Sequence, residues 1–136
     1  MIAVKVEYKL SAKDVSLLLA TALEQGSRYW MEVAGRDQRV KPLNFANTEA
    51  ADESFTHLSF PMNEGGSIRI IDLEESDDKK TVSYLLDLHR IQRGFRRMAN
   101  DKTYAFRFQN IAKGDYDATD ADVFLQFAVF GKVIYG

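Results

Sequence analysis

Arginine is the residue type that this chain concentrates most tightly. Arg90, Arg93, Arg96 and Arg97 fall within nine residues, beginning at His89. On a helix, Arg90, Arg93 and Arg97 share one face, because residues three and four apart are neighbours. A guanidinium meets a phosphate with two parallel N–H donors, so the row is a candidate anion surface. It also has a plainer reading: cations near a helix C-terminus complement the dipole of that helix. The acidic run at residues 74–78 is a further candidate partner, within the chain or across an interface.

A second cluster is Arg28, Tyr29 and Trp30, just after Gly26. Two rings beside a guanidinium offer stacking and charge to a planar base or nucleotide. The same residue types anchor protein interfaces. Trp30, the only tryptophan, could equally fill the core under the first helix.

Other residues of chemically capable type fail their templates. The acids of residues 115–122 suggest oxygen ligands for a hard cation. The calcium-loop pattern wants Gly sixth and Glu twelfth, and the chain has Asp120 and Gln126 there. Acids at a helix start serve as caps instead. His57 and His89 are the only histidines and lack metal spacing. Gly65, Gly66 and Ser67 lack the lysine and helix of a phosphate loop and suit a hairpin turn. There is no cysteine, which excludes disulfides, thiolate sites and cysteine nucleophiles. No nucleophile elbow singles out a serine. No metal, cofactor or catalytic residue is expected, and the chain is read as not an enzyme.

The elements that must position these residues follow from periodicity. Residues 2–10 alternate, with Ile2, Val4, Val6, Tyr8 and Leu10 against Lys5, Glu7 and Lys9, which predicts a half-buried strand. Ser11 with Asp14 forms a capping box for a first helix through about Glu24, stopped at Gly26. Its buried stripe is Val15, Leu18, Leu19, Ala22 and Leu23. Residues 27–33 make a connection or short strand. Residues 35–53 read as a loop, and the pattern leaves open whether residues 35–55 form a lid or merely wander. Strands are expected at 56–62 and 67–73 around a turn at 63–66. A second helix is expected over 81–99, with Tyr84, Leu85, Leu88, Ile91, Phe95 and Met98 on one side. Residues 104–111 alternate aromatics with other residues and are read as a strand. A third helix starts at Thr119 or Asp120 and stops at Gly131.

The sum is a single α+β domain over residues 1–136: a small antiparallel or mixed sheet with two to three packed helices. Net charge is -2 for 136 residues, so any polyanion site must be local. No stretch approaches the roughly 18 apolar residues of a membrane span. The opening residues lack a signal-peptide core, since Lys5 comes early. A cytoplasmic protein is expected. The apolar end, through Phe130, Val133, Ile134 and Tyr135, is expected to bury itself in its own domain or in a partner subunit.

The blocks at residues 22–30 (ALEQGSRYW) and 120–131 (DADVFLQFAVFG), continuing to Tyr135 and Gly136, resemble small uncharacterised accessory proteins of bacteriophages and prophages. That resemblance implies an accessory role in the host cytoplasm, acting by binding rather than by chemistry. The leading expectation is a homo-oligomeric anti-defence protein that sequesters a small anionic, nucleotide-type signal. Its candidate ligand-binding residues are Arg28, Tyr29, Trp30, Arg90, Arg93 and Arg97. The alternatives are an inhibitor docking on a host defence enzyme, and a single-stranded nucleic-acid binder, which the acidic balance disfavours.

Overall fold

The computed structural model describes residues 1–34 and 67–136. The expected loop and the residues that would form a lid, the strand at 56–62 and the turn at 63–66 lie outside the described residues. So does His57.

The first helix, α1 (Ala12–Thr21), begins at the expected capping box: the Ser11 hydroxyl accepts from the Asp14 N–H, and the Asp14 carboxylate accepts from the Ser11 N–H. Its five expected core residues are all buried. The helix then widens into a π turn (Ala22–Gly26), closed where the Ser27 N–H donates to the Ala22 carbonyl. The chain continues into β1 (Met31–Val33), β2 (Ser67–Asp72) and β3 (Ser83–Asp87), then α2 (Leu88–Ala99), α3 (Ala105–Ala112) and α4 (Ala118–Phe130). The strands form an antiparallel sheet in the order β1-β2-β3, with Val33 opposite Ile70 and Ile70 opposite Tyr84. The architecture is α+β.

The centre of the molecule is α4. Every residue from Asp120 to Val129 is buried, so this helix is enclosed on all sides. α1, the π turn, α2, α3 and β3 all pack on it. Asp117 caps its start by accepting from the Asp120 N–H, while the Asp120 carboxylate accepts from the Asp117 N–H. The cap is thus two or three residues earlier than expected. Gly131 ends the helix with φ 77°, a left-handed conformation that suits glycine. The crossing of α2 over α4 is tight: a Cβ on Gly94 would stand 2.7 Å from the Ala128 backbone.

Three expectations are corrected. Residues 81–99 are not one helix. Ser83–Asp87 pairs with β2, and the Asp87 side chain then caps α2 by accepting from the Arg90 N–H. The spacing of Tyr84, Leu85 and Leu88 mimics a helix face, but Val82 and Tyr84 suit a strand and β2 offers its free edge. Residues 104–111 are a helix rather than a strand. Asp101 holds the entering turn through the Thr103 and Tyr104 N–H groups, and Phe108 and Ile111, three apart, turn inward. Finally, residues 2–10 form no strand and stand almost wholly exposed. The alternation is real, but nothing among the described residues pairs with its backbone.

Candidate functional site

The Arg-Tyr-Trp corner is delivered by the π turn onto the flank of α4. Gly26 lies so close to the Ala118 carbonyl that no side chain would fit there. The chain then turns, and Ser27, Tyr29 and Trp30 all reach one carboxylate, that of Asp122. Its Oδ1 accepts from the Ser27 hydroxyl at 2.7 Å and the Trp30 indole N–H at 2.8 Å. Its Oδ2 accepts from the Tyr29 hydroxyl at 2.6 Å and the Gln126 amide at 3.1 Å. A carboxylate offers about four lone-pair sites, and here all are taken. Desolvation, reinforced by the Asp122 carboxylate, holds the Tyr29 phenol above the ordinary tyrosine range. A saturated, buried carboxylate has no capacity left for a metal ion or a substrate proton.

Gln126, one turn further along α4 and fully buried, extends this network to the chain end. Its carbonyl oxygen accepts from the Ile134 and Tyr135 N–H groups, both at 2.8 Å, and its amide donates to the Tyr135 carbonyl at 3.1 Å. The Tyr135 ring stacks on Trp30 at 5.5 Å, and its hydroxyl donates to Asp72 at 2.9 Å. Asp72 also accepts from the Glu74 and Glu75 N–H groups. Burial, with Asp72 beside it, pushes the Tyr135 phenol up. The apolar terminus is therefore held within its own domain.

This changes the part assigned to Trp30. It has 0 % exposure, with Tyr135 and Phe130 against its ring, so it cannot stack on a ligand. Tyr29 keeps 49 % exposure, but its hydroxyl is committed to Asp122. Arg28 is exposed beside them.

The arginine row lies on α2 where that helix meets the end of α4. Arg93 donates to the Ala128 carbonyl at 3.3 Å and Arg90 to the Val129 carbonyl at 3.5 Å. Arg97 lies over Gly131, so close that a Cβ there would strike its guanidinium. The last carbonyls of a helix lack intrahelical partners, and these side chains supply two of them. The dipole that the row complements is thus chiefly that of α4, not only that of its own helix. Arg93 Nε is buried without a hydrogen-bond partner among the described residues.

No family model, curated protein or solved structure matches this chain. The site therefore rests on its own geometry. Among the described residues, no group of three or more His, Asp or Glu side chains is placed to hold a metal ion. No helix among them is long and apolar enough to cross a membrane. Three of the four acids that resemble a calcium loop are spoken for: Asp117 caps α4, Asp120 pairs with Arg107 at 2.8 Å, and Asp122 is the buried acceptor.

Of the six expected residues, the structure brings Arg90, Arg93 and Arg97 together. Trp30 reaches the same last turn of α4 through Phe130, but from within the core. Sequence reasoning missed Asp122, Gln126, Asp72 and Tyr135 as a connected set. A signal existed: Asp122 and Gln126 are spaced i, i+4 inside a run that is otherwise apolar. Two polar residues at core positions one turn apart imply buried partners.

Proposed function

We propose that this chain is a non-enzymatic binding protein that sequesters a small anionic, nucleotide-type ligand, with Arg90, Arg93 and Arg97 holding its phosphates. The observation that carries this reading is a surplus of charge. Three guanidinium groups gather at one helix end, which supplies only about half a negative charge in compensation. No carboxylate among the described residues forms an ion pair with any of the three. With the end of α2 counted as well, about two positive charges are left over among the described residues, which is more than capping two helices requires. The α4 carbonyls hold Arg90 and Arg93 in place while engaging one donor of each five-donor fork. Pre-positioned forks lose less freedom when an anion arrives.

The phage or prophage resemblance of residues 22–30 and 120–131 adds the context: an accessory protein that withholds a defence signal in the host cytoplasm. Charge rather than stacking carries recognition, because Trp30 is committed to the core. Affinity should therefore rise with phosphate count. Calorimetric titration with adenosine mono-, di- and triphosphate tests this. The expected result is stepwise tightening, abolished in Arg97→Glu, whose exposed side chain leaves the core intact. No binding of any of the three at about millimolar concentration, the weak end of specific recognition, would refute the reading. Equal binding of all three would refute the phosphate roles.

A further inference from the structure

The amino-terminal arm carries an interaction surface that the anion reading does not use. Residues 2–10 have strict period two, yet Ile2 is 90 % and Val4 76 % exposed. Among the described residues, the arm is tied down at its far end. Tyr8 donates to Gln109 at 2.9 Å and packs edge-on against Phe108, and Leu10 rests on the core. Between arm and body runs a groove of about 1230 Å³, lined by Val4, Val6 and Tyr8 on one side and by Ile91, Phe95 and Phe108 on the other.

We propose that this arm pairs antiparallel with the same arm of a second copy, about a two-fold axis at Val6. The charges select both partner and register. With Val6 opposite Val6, Lys5 of each copy stands opposite Glu7 of the other, giving two opposite-charge pairs on one face. Ile2 then stands opposite Leu10 and Val4 opposite Tyr8 on the other face. Cross-strand pairs of these kinds are what stabilise a ladder. Shifting the axis to Glu7 sets Glu7 against itself and Lys5 against Lys9. Shifting it to Lys5 sets Lys5 against itself. A shift by a single residue puts the apolar face of one arm against the charged face of the other. Parallel pairing in register stacks like on like. An axis at Tyr8 also sets Glu7 against Lys9, but it runs Lys5 and Val4 onto Ser11 and Ala12, where α1 begins, and leaves Ile2 unpaired. The Val6 register satisfies both faces over the whole arm, and it makes a closed, isologous dimer. It also occupies backbone groups that would otherwise be an open edge. The Ile2 end of each arm is carried to the Leu10 end of the other, where that arm joins its own core.

Sedimentation equilibrium of the full chain over a concentration series tests the pairing by charge exchange. A monomer–dimer equilibrium is expected. Lys5→Glu and Glu7→Lys should each weaken it by about tenfold, since each turns two attractive pairs into two repulsive ones. The double variant, Lys5→Glu with Glu7→Lys, restores both pairs and should return the dimer to near its original strength. These side chains are exposed, so an unchanged circular dichroism melt of each variant at low concentration certifies the fold. A chain that stays monomeric throughout overturns the proposal. So does a dimer indifferent to the single exchanges, or a double variant no better than either single one.

Discussion

Two segments of this molecule are similarly apolar and have opposite fates. From Asp120 to Val129, α4 is buried on every side. From Ile2 to Tyr8, the arm is exposed along its whole length. The difference lies in the backbone. A helix satisfies its own N–H and C=O groups and can be enclosed wherever its ends and polar side chains find partners. α4 has those partners: a capping box at its start, arginines at its end, and donors around Asp122 and Gln126. An extended segment satisfies nothing by itself, so its apolar face is buried only when a partner takes its backbone groups, as the Gln126 side chain does for Ile134 and Tyr135. Hydrophobic pattern states which face can be buried. Hydrogen-bond closure decides whether it is.

Breaking closure at α4 should have the largest effect. Asp122→Ala strands the Trp30 and Ser27 donors in the core and frees Tyr29 and Gln126. The expected loss is about 3–5 kcal/mol, because hydrogen bonds to a charged acceptor contribute more than neutral ones and orphaned buried donors add their own penalty. Urea unfolding with a fixed slope measures it. Asp122→Asn should lose less, since it keeps one acceptor oxygen. A loss under about 1 kcal/mol in the alanine variant would mean the core does not depend on this network.

Next in size is the contact that seats α2 on α4. Glycine within an exposed helix is about 1 kcal/mol worse than alanine, so Gly94→Ala would ordinarily stabilise. Here the new Cβ would meet the Cα and N of Ala128 at 2.7 Å, and backbone cannot swing aside as a flexible side chain can. The sign reverses, and a net loss of about 2 kcal/mol is expected from overpacking. A gain in the melting midpoint would show that the two helices separate without cost.

How much of this was legible in the sequence depends on whether the signal was local. The Ser11 cap, the buried stripe of α1, the stop at Gly131 and the strand after Ser67 are set by neighbours a few residues away, and all appear where expected. Residues 83–87 and 104–111 depart from expectation because their periodicity is ambiguous over a short span. What resolved them was a partner strand in one case and the Asp101 turn in the other. The arginine face could be drawn from spacing alone. The α4 carbonyls that receive it could not, since they lie more than thirty residues away in sequence. Trp30 is open to three readings in the sequence, and its enclosure by Tyr135 depends on a contact between residues far apart in the chain.

The held chain end gives a smaller and pH-dependent effect. Tyr135→Phe removes the donor to Asp72 and should cost about 1 kcal/mol. The phenols of Tyr29 and Tyr135 both sit above their ordinary value of 10.0 in the folded chain. A group raised on folding contributes stability that is full below its unfolded value and lost as pH climbs through the folded one. Stability should therefore decline above pH 10, and the decline should be shallower in Tyr135→Phe. In an absorbance titration, Tyr29→Phe and Tyr135→Phe should each remove a phenol that ionises above pH 10. Loss of a phenol that ionises at or below pH 10 in either variant, with the fold intact, would contradict the placement of that hydroxyl.

The arm should matter least to the single chain, and that is what separates it from α4. Val4→Ser alters an exposed side chain, so at concentrations where the protein is monomeric the change should stay within about 0.5 kcal/mol. Association adds stability by mass action, and only where the dimer is populated. The unfolding midpoint of the original chain should therefore rise with protein concentration, whereas that of Val4→Ser should stay level, and the two should converge on dilution. Convergence would locate the entire contribution of the arm between molecules. A gap that persists at the lowest concentration would instead mean that Val4 already packs within its own chain, and the contrast between the two segments would then be one of degree.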